Sequence, residues 1–398
     1  MHVQRTRSDL RIQIQSAVTI HCPQSTTHWI SVDTPVASAI RSAIIWGMRM
    51  NCRKASYLAG LMAFVTASIF AAELGKPQAA KIERLDPAIN AIVPEKAILQ
   101  KVAGGFTWTE GPVWIHAGYL LFADITSNSI REATPDGGTS IFMQPAGYKG
   151  SVPYGGPEPG SNGMTLDSKG RLTVAGHAGR TVWRLEALNP KGQVTILADS
   201  YEGKKLNSPN DLVYKSDGSL YFTDPPYGLR TQEDTDPEKQ LQVNGVYRIP
   251  GALQQAPGAQ PDRAKLQLII KELPRPNGIA FSPDEKYLYV SDSGREIWMK
   301  YTMQPDGSVT DGKLFADASV DKRLGGPDGI KVDRSGNLYG SGPGGVWIFS
   351  PEGKHLGTID MPEKMSNLAW GGPDARTLYI TDSTSVYRIT LKIPGVRP

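Results

Sequence analysis

The chain has 398 residues, of which 39% are hydrophobic, 42 are Gly, 30 are Pro and 2 are Cys. That length holds one large domain or two ordinary ones, and the even spread of aliphatic and aromatic residues excludes a disordered chain. Two cysteines exclude a disulfide scaffold or a Cys-rich zinc site, and a formal net charge of +4 makes the location of the charge worth knowing.

Residues 1–47 have no clear periodicity and are expected to be a non-native or disordered extension. From Met48 the text runs MRMNCRK, then YLAGLMAFVTASIFAA, then ELGKPQ. A basic stretch, an apolar run and small residues before a polar segment predict a signal peptide over 48–72, cut near Ala71 or Ala72. The apolar run of about 14 residues is shorter than the roughly 20 that a spanning helix needs, so no stable membrane insertion is expected after cleavage. The implied address is periplasmic or secreted. Removing residues 1–72 takes away both cysteines and seven of the Lys and Arg residues against two acids, and leaves 36 basic and 37 acidic residues. A near-neutral remainder carries no nucleic-acid footprint. Oligomeric state is not legible.

After an N-terminal segment, 73–96, the chain repeats. One phrase recurs six times, anchored at Glu110 (TEGPVW), Asn162 (SNGMTL), Asn210 (PNDLVY), Asn277 (PNGIAF), Asp328 (PDGIKV) and Asn367 (SNLAWG), at spacings of 52, 48, 67, 51 and 39 residues. Eight residues past each anchor stands a turn, at Gly118, Gly170, Gly218, Glu285, Gly336 and Ala375. A second apolar run follows (YLLFAD, RLTVAG, SLYFTD, YLYVSD, NLYGSG, TLYITD), then a third. A fourth is legible in five units only: TSIFM, VTILA, LQLII, KLFAD and HLGTI. Four short β-branched and aromatic strands per unit of about 40–50 residues predict propeller blades, and no unit holds a helical run. The sixth fourth strand is supplied by AILQKVA at 97–103, placed beside the final run RITLKI. The expectation is a single all-β, six-bladed β-propeller over 97–393, with an N-terminal strand closing the last blade. The long interval predicts a surface loop or lid between Arg230 and Lys265.

The first strand of each blade lines the axial channel, so the six anchors are expected to meet at one end of it. Two carboxylates and four amides, with no Lys or Arg in the motif to neutralise them, call for a hard divalent cation: Ca2+ first, with Mg2+, Mn2+ or Zn2+ as alternatives. Turn capping is the competing role for any one Asn, and Asn367, followed by Leu, fits it best. Of the three remaining histidines, His116 and His355 are expected in exposed turns. His177 either lines the funnel or bonds a neighbouring blade. The rigid DPPYGL turn is expected to bring Tyr227 to the rim of the pocket. Asp292 and Asp382, recurring at the ends of second strands, are expected to bond between blades. The Trp and Tyr of third strands are expected as core between blades.

TEGPVW at 109–114, PNDL at 209–212, PNGIAFSPDEKYLYVSDS at 276–293 and PDGIKVD at 327–333 resemble the senescence-marker-protein/gluconolactonase/luciferin-regenerating-enzyme-like family. DPPYGL is similar to its bacterial gluconolactonase branch. The resemblance spans about 97–392 and implies a six-bladed propeller that hydrolyses sugar lactones with a divalent metal. It makes Glu110, Asn277 and Asp328 the metal ligands, Asp328 also the base, and Asn210 a substrate contact, with Asn162 and His177 as further pocket residues. Some members carry Arg two residues before this Asn; here Ser208 stands there, which leaves the sugar open. No Gly-x-Ser-x-Gly elbow is present for a covalent serine route. Two other functions stay open at this point: a non-catalytic propeller binding a ligand or protein around a structural cation, and an esterase of different range.

Overall fold

A computed structural model describes residues 75–398. The expected signal peptide and the 1–47 extension lie outside the described residues. Six antiparallel sheets stand in a ring. Blade 1 consists of Thr109–Ile115, Tyr119–Asp124, Ser129–Ala133 and Thr139–Met143. The innermost strands of blades 2 to 6 are Met164–Leu166, Leu212–Tyr214, Pro276–Phe281, Ile330–Val332 and Met365–Gly371. The first three strands of every blade run outward in sequence order, as alternating apolar runs joined by tight turns require.

Ring closure follows the expected route. Ile98–Gly104 pairs antiparallel with Ser385–Thr390, from Ser385 opposite Gly104 to Ile389 opposite Leu99, and becomes the fourth strand of blade 6. The N-terminal segment extends this further than its sequence indicates. Pro77–Ala79 adds a fifth strand to blade 6, and Ile82–Arg84 does the same for blade 5. Each of these sheets thus ends in a three-residue edge strand, short enough to offer little to further pairing. Among the described residues no helix is long and apolar enough to cross a membrane.

Packing between blades is aromatic, as expected of the third strands. Trp298 of blade 4 meets Trp347 and Phe349 of blade 5 at centroid distances of 5.6 and 4.9 Å. Trp114 of blade 1 stacks on Tyr379 of blade 6 at 5.1 Å. His355 departs from its expected exposed turn: it lies in the strand His355–Asp360, half-buried and stacked on Trp347 at 4.0 Å. His116 is exposed.

Nearer the axis the blades meet backbone to backbone. The Gly163 amide donates to the Asn210 carbonyl at 2.7 Å, and the Gly329 amide to the Ser366 carbonyl at 2.8 Å. This contact explains the Gly that follows the anchor in four of the six motifs. A Cβ on Gly278 would stand 2.3 Å from the Asp328 carbonyl oxygen, and one on Gly163 2.6 Å from that of Asn210. The glycine is there for close approach between neighbours.

The recurrent Asp at the ends of second strands corrects the expectation of inter-blade bonding. Asp292 Oδ1 accepts from the Arg275 amide at 3.1 Å, and Asp382 Oδ2 from the Glu363 amide at 3.0 Å, so each ties down the loop entering its own blade. The bond between blades comes from the hydroxyl one residue earlier. Thr223 donates to the Asn277 carbonyl at 2.7 Å, Ser291 to that of Asp328 at 2.6 Å, and Ser341 to that of Met365 at 3.1 Å. The segment expected as one loop from Arg230 to Lys265 is also divided. The strand Gly245–Ile249 crosses it, leaving a loop over 225–244 at the anchor end and another over 250–266 at the opposite end. Only the first is placed to cover the channel.

Two predictions follow from this packing. Gly278→Ala is expected to lower unfolding free energy by about 2–3 kcal/mol in a denaturant titration, because the methyl meets fixed backbone. Gly326→Ala, where nothing lies within 4 Å, is expected to change it by less than about 0.5 kcal/mol. Burial of the Asp382 carboxyl raises it from its usual value to about 7. Its neutral form is favoured in the fold, so its contribution is complete below about pH 4 and is lost as pH rises through 7. Asp382→Asn is expected to flatten the decline of melting temperature across that interval, as scanning calorimetry at several pH values measures.

Candidate active site

The anchor end of the channel opens into a cavity of about 410 Å³ lined by Glu110, Asn162, Asn210, Asn277, Asp328 and Tyr227. Six of the seven residues singled out in the sequence thus share one wall. The aiming is local. The ladder slips between Glu110 and Val113, between Pro276 and Ile279, and between Met365 and Asn367. A bulge at each point turns the anchor side chain off the pleat and toward the axis.

Three of the anchors are fixed by side-chain hydrogen bonds to neighbours. Glu110 Oε2 accepts from the Gly111 amide at 2.6 Å and from Asn367 Nδ2 at 3.0 Å. Asn367 Oδ1 in turn accepts from the Leu368 amide at 2.8 Å. Asn367 is structural, as its sequence indicated, but what it holds is the carboxylate of the site. Asn277 Nδ2 donates to Ser293 Oγ at 3.0 Å, and that hydroxyl donates to the Pro327 carbonyl at 2.6 Å.

The electrostatics are severe. Burial, then the nearby charge of Asp328, holds the Glu110 carboxyl well above the usual carboxylate range. Burial raises Asp328 to about 7; the ammonium of Lys364 opposes the rise, and the charges of Glu158 and Asp211 add to it. Tyr227 is pushed up to about 12, by burial first and then by Asp328. Four oxygens at this end of the channel, the Oδ1 atoms of Asn162, Asn210, Asn277 and Asp328, are buried without a hydrogen-bond partner. Unpartnered buried oxygens are costly and rare in a native core. Together with Glu110 they form an all-oxygen donor set suited to a hard cation. Among the described residues no group of three or more His, Cys, Asp or Glu forms a metal cluster. Here amide oxygens supplement two carboxylates.

His177 does not line the cavity. It is fully buried, with Nε2 2.8 Å from Glu158 Oε2, and it is Glu158 that faces the cavity. The sequence reading also missed Trp108, Ser293 and Lys364 in the lining. Ser293 closes the PNGIAFSPDEKYLYVSDS motif directly after a recurrent Asp, and Trp108 stands just ahead of TEGPVW, two residues before an anchor. The expectation that no Lys or Arg shares the motif is corrected too. Lys331, within PDGIKV, has Nζ 3.6 Å from Oδ2 of Asp211, which occupies the position of the usual glycine in blade 3.

The family profile described as SMP-30/Gluconolactonase/LRE-like region matches residues 108–384. The chain belongs to this family. A gluconolactonase of Zymomonas mobilis is 39% identical over 326 residues, 79% of this chain and 87% of its own. A 6-deoxy-6-sulfogluconolactonase of Pseudomonas putida is 33% identical over 280 residues, 69% of this chain and 82% of its own. The solved structure of a Xanthomonas campestris gluconolactonase superposes with a TM-score of 0.66 at 31% identity, covering 80% of this chain and 98% of its own. The luciferin-regenerating enzyme shares the fold at a TM-score of 0.58 and 20% identity, covering 76% of this chain and 98% of its own.

The buried carboxylate carries a stability cost that can be measured. In chelator-treated protein, Glu110→Gln is expected to raise the melting temperature by several degrees, on the order of 1–3 kcal/mol, because an amide replaces a carboxyl whose ionisation burial and the charge of Asp328 both oppose.

Proposed function

We propose that this chain is a metal-dependent sugar lactonase whose active site is the cavity at the anchor end of the channel. The family and its lactonase members make it a lactone-hydrolysing enzyme, a carboxylic-ester hydrolase. Metal dependence rests on one observation: the buried, unpartnered oxygens of Asn277 and Asp328 beside the desolvated Glu110 carboxyl. In this reading Glu110, Asn277 and Asp328 hold one divalent cation, Ca2+ in preference to Mg2+, Mn2+ or Zn2+. When bound, the cation supplies Lewis acidity toward the lactone carbonyl and compensates the paired carboxylates.

The remaining chemistry falls to the protein. Asp328, with Oδ1 free of protein donors, takes a proton from the attacking water as the new C–O bond forms. It returns that proton to the ring oxygen as the ring C–O bond breaks. The amides of Asn162 and Asn210 and the hydroxyl of Tyr227 orient the ring. Asn367 and Ser293 hold Glu110 and Asn277 in place, so that no reorganisation is needed as charge develops. The basic, apolar and small-residue pattern over 48–72 supports a periplasmic or secreted address.

The test is proton release from glucono-1,5-lactone at constant pH. Chelation is expected to abolish turnover and Ca2+ to restore it, while Asp328→Asn lowers kcat by about 100-fold or more. Undiminished hydrolysis in that variant rejects the base. A cation that raises the melting temperature while no lactone or ester is turned over would instead mark a binding propeller.

A further inference from the structure

Glu158 belongs to no repeat motif and has no place in the mechanism above, yet it lines the cavity with the anchors. Its Oε2 is committed to His177 Nε2 at 2.8 Å, and among the described residues its other oxygen has no hydrogen-bond partner. The histidine is unusually constrained. It is fully buried, and it adopts φ +43°, a left-handed conformation that a non-glycine residue reaches only at a cost. Gly228, from the loop that carries Tyr227, packs so closely on the ring that a Cβ would stand 2.7 Å from Cδ2. The Gly228 amide is itself held by Ser208 Oγ at 2.8 Å. The serine that replaces the arginine of other members thus braces the far side of this histidine.

With the ring clamped and Nε2–H directed at the carboxylate, Glu158 presents an oriented, acceptor-only oxygen to the cavity. The cavity wall otherwise carries Glu110, Glu296 and Asp328 against one ammonium, Lys364. Even with a divalent cation held by Glu110 and Asp328, the four carboxylates outnumber the positive charges by one, so the wall disfavours an anionic ligand and accepts hydrogen bonds from neutral hydroxyl groups. We propose that Glu158, positioned by His177, is a specificity-determining residue that accepts a hydrogen bond from a ring hydroxyl of the substrate and selects neutral polyhydroxy lactones. This rests on the lactonase reading of the same cavity and adds to it a residue and a basis for selection.

The test compares kcat/KM for glucono-1,5-lactone with that for δ-valerolactone, the same ring without hydroxyls. A site built to bond a hydroxyl rejects the analogue lacking it by a large factor. In Glu158→Ala the ratio is expected to fall about tenfold or more, and in Glu158→Gln, which keeps the shape and an acceptor oxygen, by less. His177→Ala is expected to raise KM for the hydroxylated lactone more than it lowers kcat, with partial rescue in His177→Gln, whose amide offers a donor. Melting temperatures identify any variant that fails to fold, and Glu158→Gln then carries the comparison. An equal loss on both lactones, or no loss on either, overturns the proposal. Calorimetric binding of 1,5-anhydroglucitol, a ring polyol with no ester, separates this from failure of the lactonase reading. If the wild type turns over neither lactone, that reading falls. Binding of the polyol that is lost in Glu158→Ala still sustains the role of Glu158, and equal or absent binding in both proteins overturns it.

Discussion

Blade-to-blade contact at the axis is the constraint on which the rest depends. Six sheets can form a ring only if their innermost strands approach to hydrogen-bonding distance, and here the approach is made by the residues that flank the functional side chains. The Gly163 amide on the Asn210 carbonyl and the Ser291 hydroxyl on the Asp328 carbonyl fix the backbone of each anchor relative to its neighbour. Convergence of carboxylates and amides is therefore no separate achievement of the fold. It comes from the same bonds that close the ring, and it makes the site as rigid as the scaffold.

That rigidity has an electrostatic cost. Glu110 is buried and Asp328 half-buried with its Oδ1 sealed off, so water relieves their charges poorly, and three amide oxygens beside them lack donors. An isolated core would not tolerate such a group, and functional sites commonly give up stability in this way. Lys364 and Lys331 offset part of the charge from the edges of the cluster, Lys364 beside Asp328 and Lys331 beside Asp211. Neither neutralises the pair fully, which is why the proposed reading puts a cation between them.

What was legible in the sequence was what repeats. The anchors, the turns eight residues on and the closing strand all follow from register, because ring symmetry forces equivalent residues into equivalent places. Tyr227 was legible for another reason, the stiffness of its Pro-Pro turn. The residues that break the symmetry were hidden. Glu158 and Lys364 come from the irregular chain ahead of an anchor, where no period constrains them. Asp211 replaces a glycine in a single blade. The Asp and the hydroxyl of the second strands were seen as one motif, but they divide the labour: Asp292 ties its own blade, while Ser291 ties the next. Only geometry separates those roles.

The clasp of blade 6 also has a consequence in time. Gln100 and Arg388 bond across 288 positions of chain, so the strand that completes the sheet is made long before its partner. Until Ser385–Thr390 emerges, the nascent polypeptide carries an unmatched edge and an open circle. Such long-range closure is slow, and it leaves the unfinished chain exposed to wrong partners. Loss of the six residues Ser385–Thr390 would cost far more than their own contacts, because the whole annulus would lose its fastening.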